Sequence, residues 1–270
     1  MRETIVFHSV STASYPRLPL QMKRAGGASL LAIRKPTLDP GAPAPSDMRM
    51  RRHNEGILQL FERPVLRWLS AAMPRWVTPD MLTGLGFCGA VIAAAGYALS
   101  PRNSAMLWLA SVGLVVNWFG DSVDGNLARV RGIERPAYGF FIDNATDVLE
   151  YAVFAVGLAF SGYVHWGLVF ATLAAFYMVM SLGLIRAQAV NVFDIAFGGV
   201  GLTEVRCAFI LANVVMYYAP PQEFLIFGIS TTYPNLLTIL WIASQVVTFL
   251  VVMYKTLREL AAQDPPKRPR

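Results

Sequence analysis

Six long apolar runs follow one another between residues 81 and 254, and short segments between them hold nearly all of the charge. They fall near 81–101, 104–128, 139–162, 164–186, 203–221 and 234–254. As helices rising about 1.5 Å per residue, each is long enough to cross roughly 30 Å of hydrocarbon. The first is free of charge from Met81 to Ser100, and the last sits in a charge-free run from Phe224 to Tyr254. Ahead of them, Ile57, Leu58, Leu60, Phe61, Val65, Leu66, Trp68 and Leu69 recur at helical spacing with Arg63 and Arg67 between them. That pattern predicts a helix from Asn54 to Met73, either lying in the membrane interface or packed on the bundle. The expected fold is therefore all-α and integral to the membrane: six transmembrane helices preceded by an N-terminal interfacial amphipathic helix.

Residues 1–47 differ from the rest of the chain. They mix Ser, Pro, Lys and Arg without periodicity and end in a Pro-rich, linker-like stretch from Lys35 to Pro45, so they are expected to be disordered or loosely attached. The apolar stretch Ser29 to Ile33 is too short for a signal-peptide core, and a translation start near Met48 is an open alternative. The expected organisation is 1–47 loosely attached, 48–77 juxtamembrane amphipathic helix, 78–256 six-helix catalytic domain, and 257–270 basic cytoplasmic tail.

Composition supports a membrane protein: 55% of residues are hydrophobic and only 15% charged, too little charge to cover a soluble domain of 270 residues. The net charge of +6 is informative by position. Arg49, Arg51, Arg52, Arg63, Arg67 and Arg75 precede the first run; Arg129, Arg131 and Arg135 lie between the second and third; Lys255, Arg258, Lys267, Arg268 and Arg270 come after the sixth. The opposite side holds only Arg102. The excess of Lys and Arg predicts that both termini and the loop from Val130 to Tyr138 are cytoplasmic. No nucleic-acid partner is expected. Cys88 and Cys207 sit far apart in apolar runs and read as buried small hydrophobes, and the three histidines are scattered.

The chemistry concentrates in Asn117-Trp-Phe-Gly-Asp-Ser-Val-Asp-Gly-Asn-Leu-Ala-Arg129, followed after nine residues by Gly139-Phe-Phe-Ile-Asp-Asn-Ala-Thr-Asp147. At about 100° per residue, Asp121, Asp124, Gly125 and Ala128 share one sector of the second helix, and Asp143 and Asp147 one face of the third. A short loop makes these helices expected antiparallel neighbours, with their acid faces turned toward each other. Four carboxylates at bilayer depth need compensation. All-oxygen ligation favours Mg²⁺ or Mn²⁺, and two such ions suit a diphosphate. Gly125, Ala128 and Gly139 clear volume beside the acids, and Arg129 suits a phosphate.

Asp-x₂-Asp-Gly-x₂-Ala-Arg, a gap of nine, then Gly-x₃-Asp-x₃-Asp resembles the signature of the CDP-alcohol phosphotransferases, with all eight fixed positions present. The resemblance covers about Thr78 to Tyr254. It implies that Asp121, Asp124 and Asp143 are metal ligands, and that Asp147 both helps to hold metal and accepts the proton of the incoming alcohol. It implies further that Gly125 and Arg129 contact the cytidine diphosphate portion. A Pro-Asn-x-x-Thr element of the family reads Pro79-Asp80-Met81-Leu82-Thr83 here, so Asp replaces Asn in the nucleotide contact implied for Asp80 and Thr83. The resemblance also implies a homodimer.

On this reading the donor is a CDP-linked lipid such as CDP-diacylglycerol, the acceptor a polar alcohol, and the by-product CMP, with membrane lipids as surroundings. The reverse pairing, CDP-choline or CDP-ethanolamine with diacylglycerol, uses the same aspartates and stays open. A membrane prenyltransferase is disfavoured by the Gly-Ala-Arg pattern. A cation or proton transporter and a non-catalytic scaffold are the other classes; against transport, no polar track crosses to the far side and no internal repeat is visible. Glu150 is expected to support the site or pack a helix. Arg186, Glu204 and Arg206 are expected in interfacial salt bridges, with an anionic acceptor or lipid headgroup as the alternative partner, rather than in catalysis.

Overall fold

A computed structural model describes residues 51–53, 58–190, 192–194, 201–226 and 228–264. The expectations for residues 1–47 and for the end of the basic tail lie outside these. Seven helices are present among the described residues: α1 Gln59–Ala72, α2 Pro79–Leu99, α3 Met106–Arg131, α4 Pro136–Ala159, α5 Trp166–Val190, α6 Leu202–Tyr218 and α7 Tyr233–Gln263. Two small ladders depart from the all-α expectation. β1 Arg51–His53 runs parallel to β2 Val192–Asp194, and β3 Phe224–Ile226 pairs antiparallel with β4 Ile229–Thr231.

The helix ends have local causes. Thr78 caps α2, its Oγ1 accepting from Met81 N at 3.2 Å, with Pro79 at the first helical position. α3 ends where Gly132 takes a left-handed φ of 65°, which lets Ile133 N reach back to Ala128 O at 3.0 Å. Pro136 then opens α4.

Small residues decide the packing. A Cβ on Gly89 would overlap the Asn117 backbone, one on Gly113 the Ala93 backbone, and one on Gly120 the Gly86 backbone. α2 and α3 are thus in backbone contact along their length, an arrangement that membrane helices stabilise by van der Waals packing and that larger residues would forbid. Gly157 brings α4 equally close to Ala94 of α2. The remaining closely packed helix pairs are α3 with α6, α1 with α3, α4 with α5, and α5 with α7. Here the expected geometry needs correction. α3 and α4, although joined by a four-residue loop, are not closely packed neighbours; each instead leans on α2, which forms a shared wall.

Among the described residues, four helices are long and apolar enough to cross a membrane: α2, α3, α5 and α7. α4 misses that measure because every stretch of it long enough to span contains Asp143, Asp147 and Glu150, and α6 because it has only 17 residues. The helix expected from Asn54 begins at Gln59, residues 54–57 lying outside the described ones. In α1, Leu66 and Ser70 are buried and Arg67 and Trp68 exposed, with Leu66 joining Val77, Leu82, Val123 and Leu127 in one core cluster. Cys88 and Cys207, expected to be buried, are exposed. Both lie in largely apolar stretches, and an apolar neighbourhood in sequence does not select the inner face.

Candidate active site

The acid group occupies the facing sides of α3 and α4 above the α2 wall. Asp121 and Asp143 both act electrostatically on Asp124, and both act on Asp147. The two pairs of carboxylates therefore stand within electrostatic range of one another, although the helices carrying them are not packed together.

Asp124 and Asp121 are each held by a partner on another helix. Thr83 Oγ1 of α2 donates to Asp124 Oδ2 at 2.6 Å, while Asp124 Oδ1 also accepts from Gly125 N. Arg206 Nη2 of α6 donates to Asp121 Oδ2 at 2.7 Å. Arg206 is thus in a salt bridge, as expected, but a buried one made to a residue of the acid group. Its side chain is buried and also donates from Nε to Asn117 Oδ1 at 2.8 Å. Glu150 is buried one turn past Asp147 and accepts from Asn117 Nδ2 at 2.6 Å.

Gly125 and Arg129 lie together at the open end of α3: a Cβ on Gly125 would meet only the Arg129 guanidinium, at 3.9 Å. Arg129 Nη2 donates to Asn126 Oδ1 at 2.9 Å. A Cβ on Gly139 would meet nothing within 4 Å, and Ala128 is partly buried. Both leave room beside the acids. Asp80 is drawn elsewhere, into an exposed ion pair with Arg135 at 3.0 Å and a hydrogen bond from Tyr138 Oη at 3.3 Å. Of the two positions in the Pro79–Thr83 element, the structure brings only Thr83 onto the acid group.

The other charged groups sort by geometry. Arg186 pairs with Glu259 of α7 at 3.4 Å, as expected of a salt bridge. Glu204 accepts from Gly201 N and Leu58 N, both at 2.9 Å, so it caps α6 and ties it to the start of α1. Arg131 donates to the carbonyls of Met73, Pro74 and Val77, clamping the segment between α1 and α2. Glu62 Oε1 receives Trp118 Nε1 at 2.7 Å, Thr203 Oγ1 at 3.1 Å and Ser122 Oγ at 3.2 Å, which fastens α1 beside the acids. A groove of about 560 Å³ is lined entirely by α7 residues, from Leu250 to Arg258, and shares none with the acid group.

Asn117, Glu62 and the placement of Arg206 are what sequence reasoning missed. For Asn117 a signal existed: it lies one turn before Asp121 on the same helical face.

The acid group is a carboxylate-rich cluster set in an apolar helical bundle. The family model for CDP-alcohol phosphatidyltransferase matches residues 76–232, and the chain belongs to that family. It is 35% identical over 122 residues to an archaetidylinositol phosphate synthase of Pyrococcus horikoshii, covering 45% of this chain and 61% of that relative. A second archaetidylinositol phosphate synthase, from Methanothermobacter thermautotrophicus, is 29% identical over 166 residues, covering 61% of this chain and 80% of that relative. The matched stretch thus spans less than two thirds of the Pyrococcus relative. The family comprises transferases of substituted phosphate groups in phospholipid biosynthesis, and it is generally metal-dependent.

Whether this chain's residues suit a metal can be judged from the donors. They are carboxylate oxygens, the ligands hard divalent ions prefer. Among the described residues no three acidic, His or Cys groups stand in a ready-made metal-binding arrangement. The set fits a Mg²⁺- or Mn²⁺-type ion in chemical kind, with Asp121 holding one oxygen, and Asp124 both of its oxygens, against protein donors.

Proposed function

We propose that this chain transfers a phosphatidyl-type group from a CDP-linked lipid to a polar alcohol, with release of CMP. What supports the proposal is that Asp121, Asp124, Asp143 and Asp147, in the family's spacing, stand within electrostatic range of one another on two helices that share α2 as a wall. The relatives favour the lipid as donor over the CDP-choline or CDP-ethanolamine pairing. By their names they make archaetidylinositol phosphate, a lipid-linked product, which points to an inositol phosphate as the acceptor here.

In the mechanism, Gly125 and Arg129 receive the cytidine diphosphate end, Gly125 by admitting it to the helix backbone and Arg129 by its charge. The acceptor hydroxyl oxygen attacks the lipid-side phosphorus. The bond from that phosphorus to the bridging oxygen breaks, and CMP leaves with the bridging oxygen. The hydroxyl proton passes to the Asp147 carboxylate. Asp121, Asp124, Asp143 and Asp147 would hold a divalent cation, or two, which supplies offsetting charge for the diphosphate and the departing CMP. Thr83 keeps the Asp124 carboxylate turned into the site. The six helices α2–α7 cross the membrane and α1 lies in the interface. Both termini, and the acid group near the α3–α4 loop, face the cytoplasm. There a water-soluble acceptor meets a donor entering sideways from the lipid, and a homodimer is the proposed assembly.

The test is a CMP-release assay on purified protein with Mg²⁺ or Mn²⁺, CDP-diacylglycerol or CDP-ethanolamine as donor, and a panel of alcohols that includes inositol phosphate. Asp147→Asn is expected to abolish release while the protein stays folded, and chelation to abolish it reversibly. Turnover by the variant, or cation flux in liposomes without nucleotide, contradicts the assignment.

A further inference from the structure

A buried polar chain runs beneath the acid face and ends on Asp121. Glu150 Oε2 of α4 accepts from Asn117 Nδ2 of α3 at 2.6 Å, and the same nitrogen donates to Gly86 O of α2 at 3.1 Å. Asn117 Oδ1 accepts from Arg206 Nε of α6 at 2.8 Å, and Arg206 Nη2 donates to Asp121 Oδ2 at 2.7 Å. Glu150, Asn117 and Arg206 are 5%, 6% and 8% exposed. Four helices contribute to one chain of contacts.

Each contact constrains the next. With two acceptors on its nitrogen, the Asn117 amide has only one way round, and its oxygen must face Arg206. Asn117 lies four residues before Asp121, so both stand on one face of α3, a turn apart. Arg206 bridges that turn with two nitrogens of one rigid plane, which fixes the angle at which the guanidinium meets the carboxylate. Gly86 lets the α3 backbone come close beside this chain: a Cβ there would lie 3.3 Å from Asp121 N, while Glu150 Oε1, at 3.6 Å, would be in ordinary contact. Two buried charges with matched hydrogen bonds are tolerable, whereas one left unmatched is strongly unfavourable. The chain therefore acts as a unit.

We propose that Arg206, aligned by Asn117 and Glu150, is the positioning residue for Asp121, fixing the plane of that carboxylate and the direction in which it presents its second oxygen to the site. The proposal rests on the reading of the acid group as a cation and diphosphate site. Groups of this kind, which orient a ligand without touching the ion, typically change metal affinity or activity 10- to 100-fold when altered.

The experiment compares wild type, Arg206→Lys, Asn117→Leu, the double variant and Asp121→Asn, as full chains in detergent. Mn²⁺ binding is read without substrate from the free-ion magnetic resonance signal, and CMP release is measured alongside. Arg206→Lys keeps the charge but loses the planar fork, so a roughly tenfold or greater rise in the Mn²⁺ dissociation constant is expected, with the melting temperature held. Asn117→Leu should match it, and the double variant should fall within about twofold of the worse single, because both act through one oxygen. Wild-type Mn²⁺ affinity in Arg206→Lys, or multiplying losses in the double variant, overturns the positioning role. If Asn117→Leu does not fold, Arg206→Lys decides alone. Unchanged Mn²⁺ binding in Asp121→Asn overturns instead the reading of the acid group.

Discussion

Thr83→Val removes one hydrogen bond from the site and little else, because a methyl replaces a hydroxyl of nearly the same volume. Thr83 Oγ1 has a single proton and two acceptors in reach, Pro79 O at 3.2 Å and Asp124 Oδ2 at 2.6 Å. The shorter, charged contact takes it. A hydrogen bond to a charged group contributes about 1.5–3 kcal/mol, which at about 1.4 kcal/mol per decade corresponds to roughly 10- to 150-fold. Thr83 is only partly buried, so water can replace some of the loss, and the lower part of that range applies. A fall of about 10- to 30-fold in kcat for CMP release is expected, with the donor KM within about twofold. Thr83→Ser, which keeps the hydroxyl, should recover to within about threefold of wild type. In an Asp124→Asn background the valine should add no more than about twofold, since the partner it disables is already gone. A variant within twofold of wild type would refute the reasoning. So would a rise in donor KM alone, which would make Thr83 a donor contact rather than a support for Asp124.

Two further substitutions test the scaffold around the site. Gly89→Val places a branched side chain against the Asn117 and Gly113 backbones, where a Cβ alone would come within 2.8 Å of Gly113 O. Overpacking costs about 1–3 kcal/mol where side chains can yield, and here the obstacle is backbone. A melting temperature lowered by several degrees is expected in detergent, and an unchanged one would mean that α2 and α3 are not in backbone contact. Glu62→Ala leaves three donors from α3 and α6 without their shared acceptor. Hydrogen exchange across Gln59–Ala72 should speed up at least tenfold while exchange in α2 stays slow, corresponding to about 1.5 kcal/mol or more of lost docking. Unaltered exchange in α1 would show that its apolar face alone holds it.

Sequence reading and structure agree where a property belongs to one helix and part where it belongs to three. Asp121 with Asp124, and Asp143 with Asp147, share faces by helical period alone, so the two acid pairs are legible from spacing. Arg206 is not, because nothing in its own surroundings says that α6 packs on α3 with this residue at the level of Asn117. The short loop from Gly132 to Arg135 suggests that α3 and α4 pack directly, yet the decisive residues lie elsewhere. Gly86 and Gly89 of α2 meet Gly120 and Asn117 of α3, and Gly157 of α4 meets Ala94 of α2. Each such contact lets backbones approach where ordinary side chains would hold helices 8–10 Å apart. The same glycines that admit α2 so closely make it the common wall, and a common wall lets α3 and α4 stand apart at their acid faces. Had those two helices been packed through small residues of their own, four carboxylates would have been driven together with no room between them. The small residues of α2 thus bear on the site as well as on packing, because both helices that carry the carboxylates lean on them.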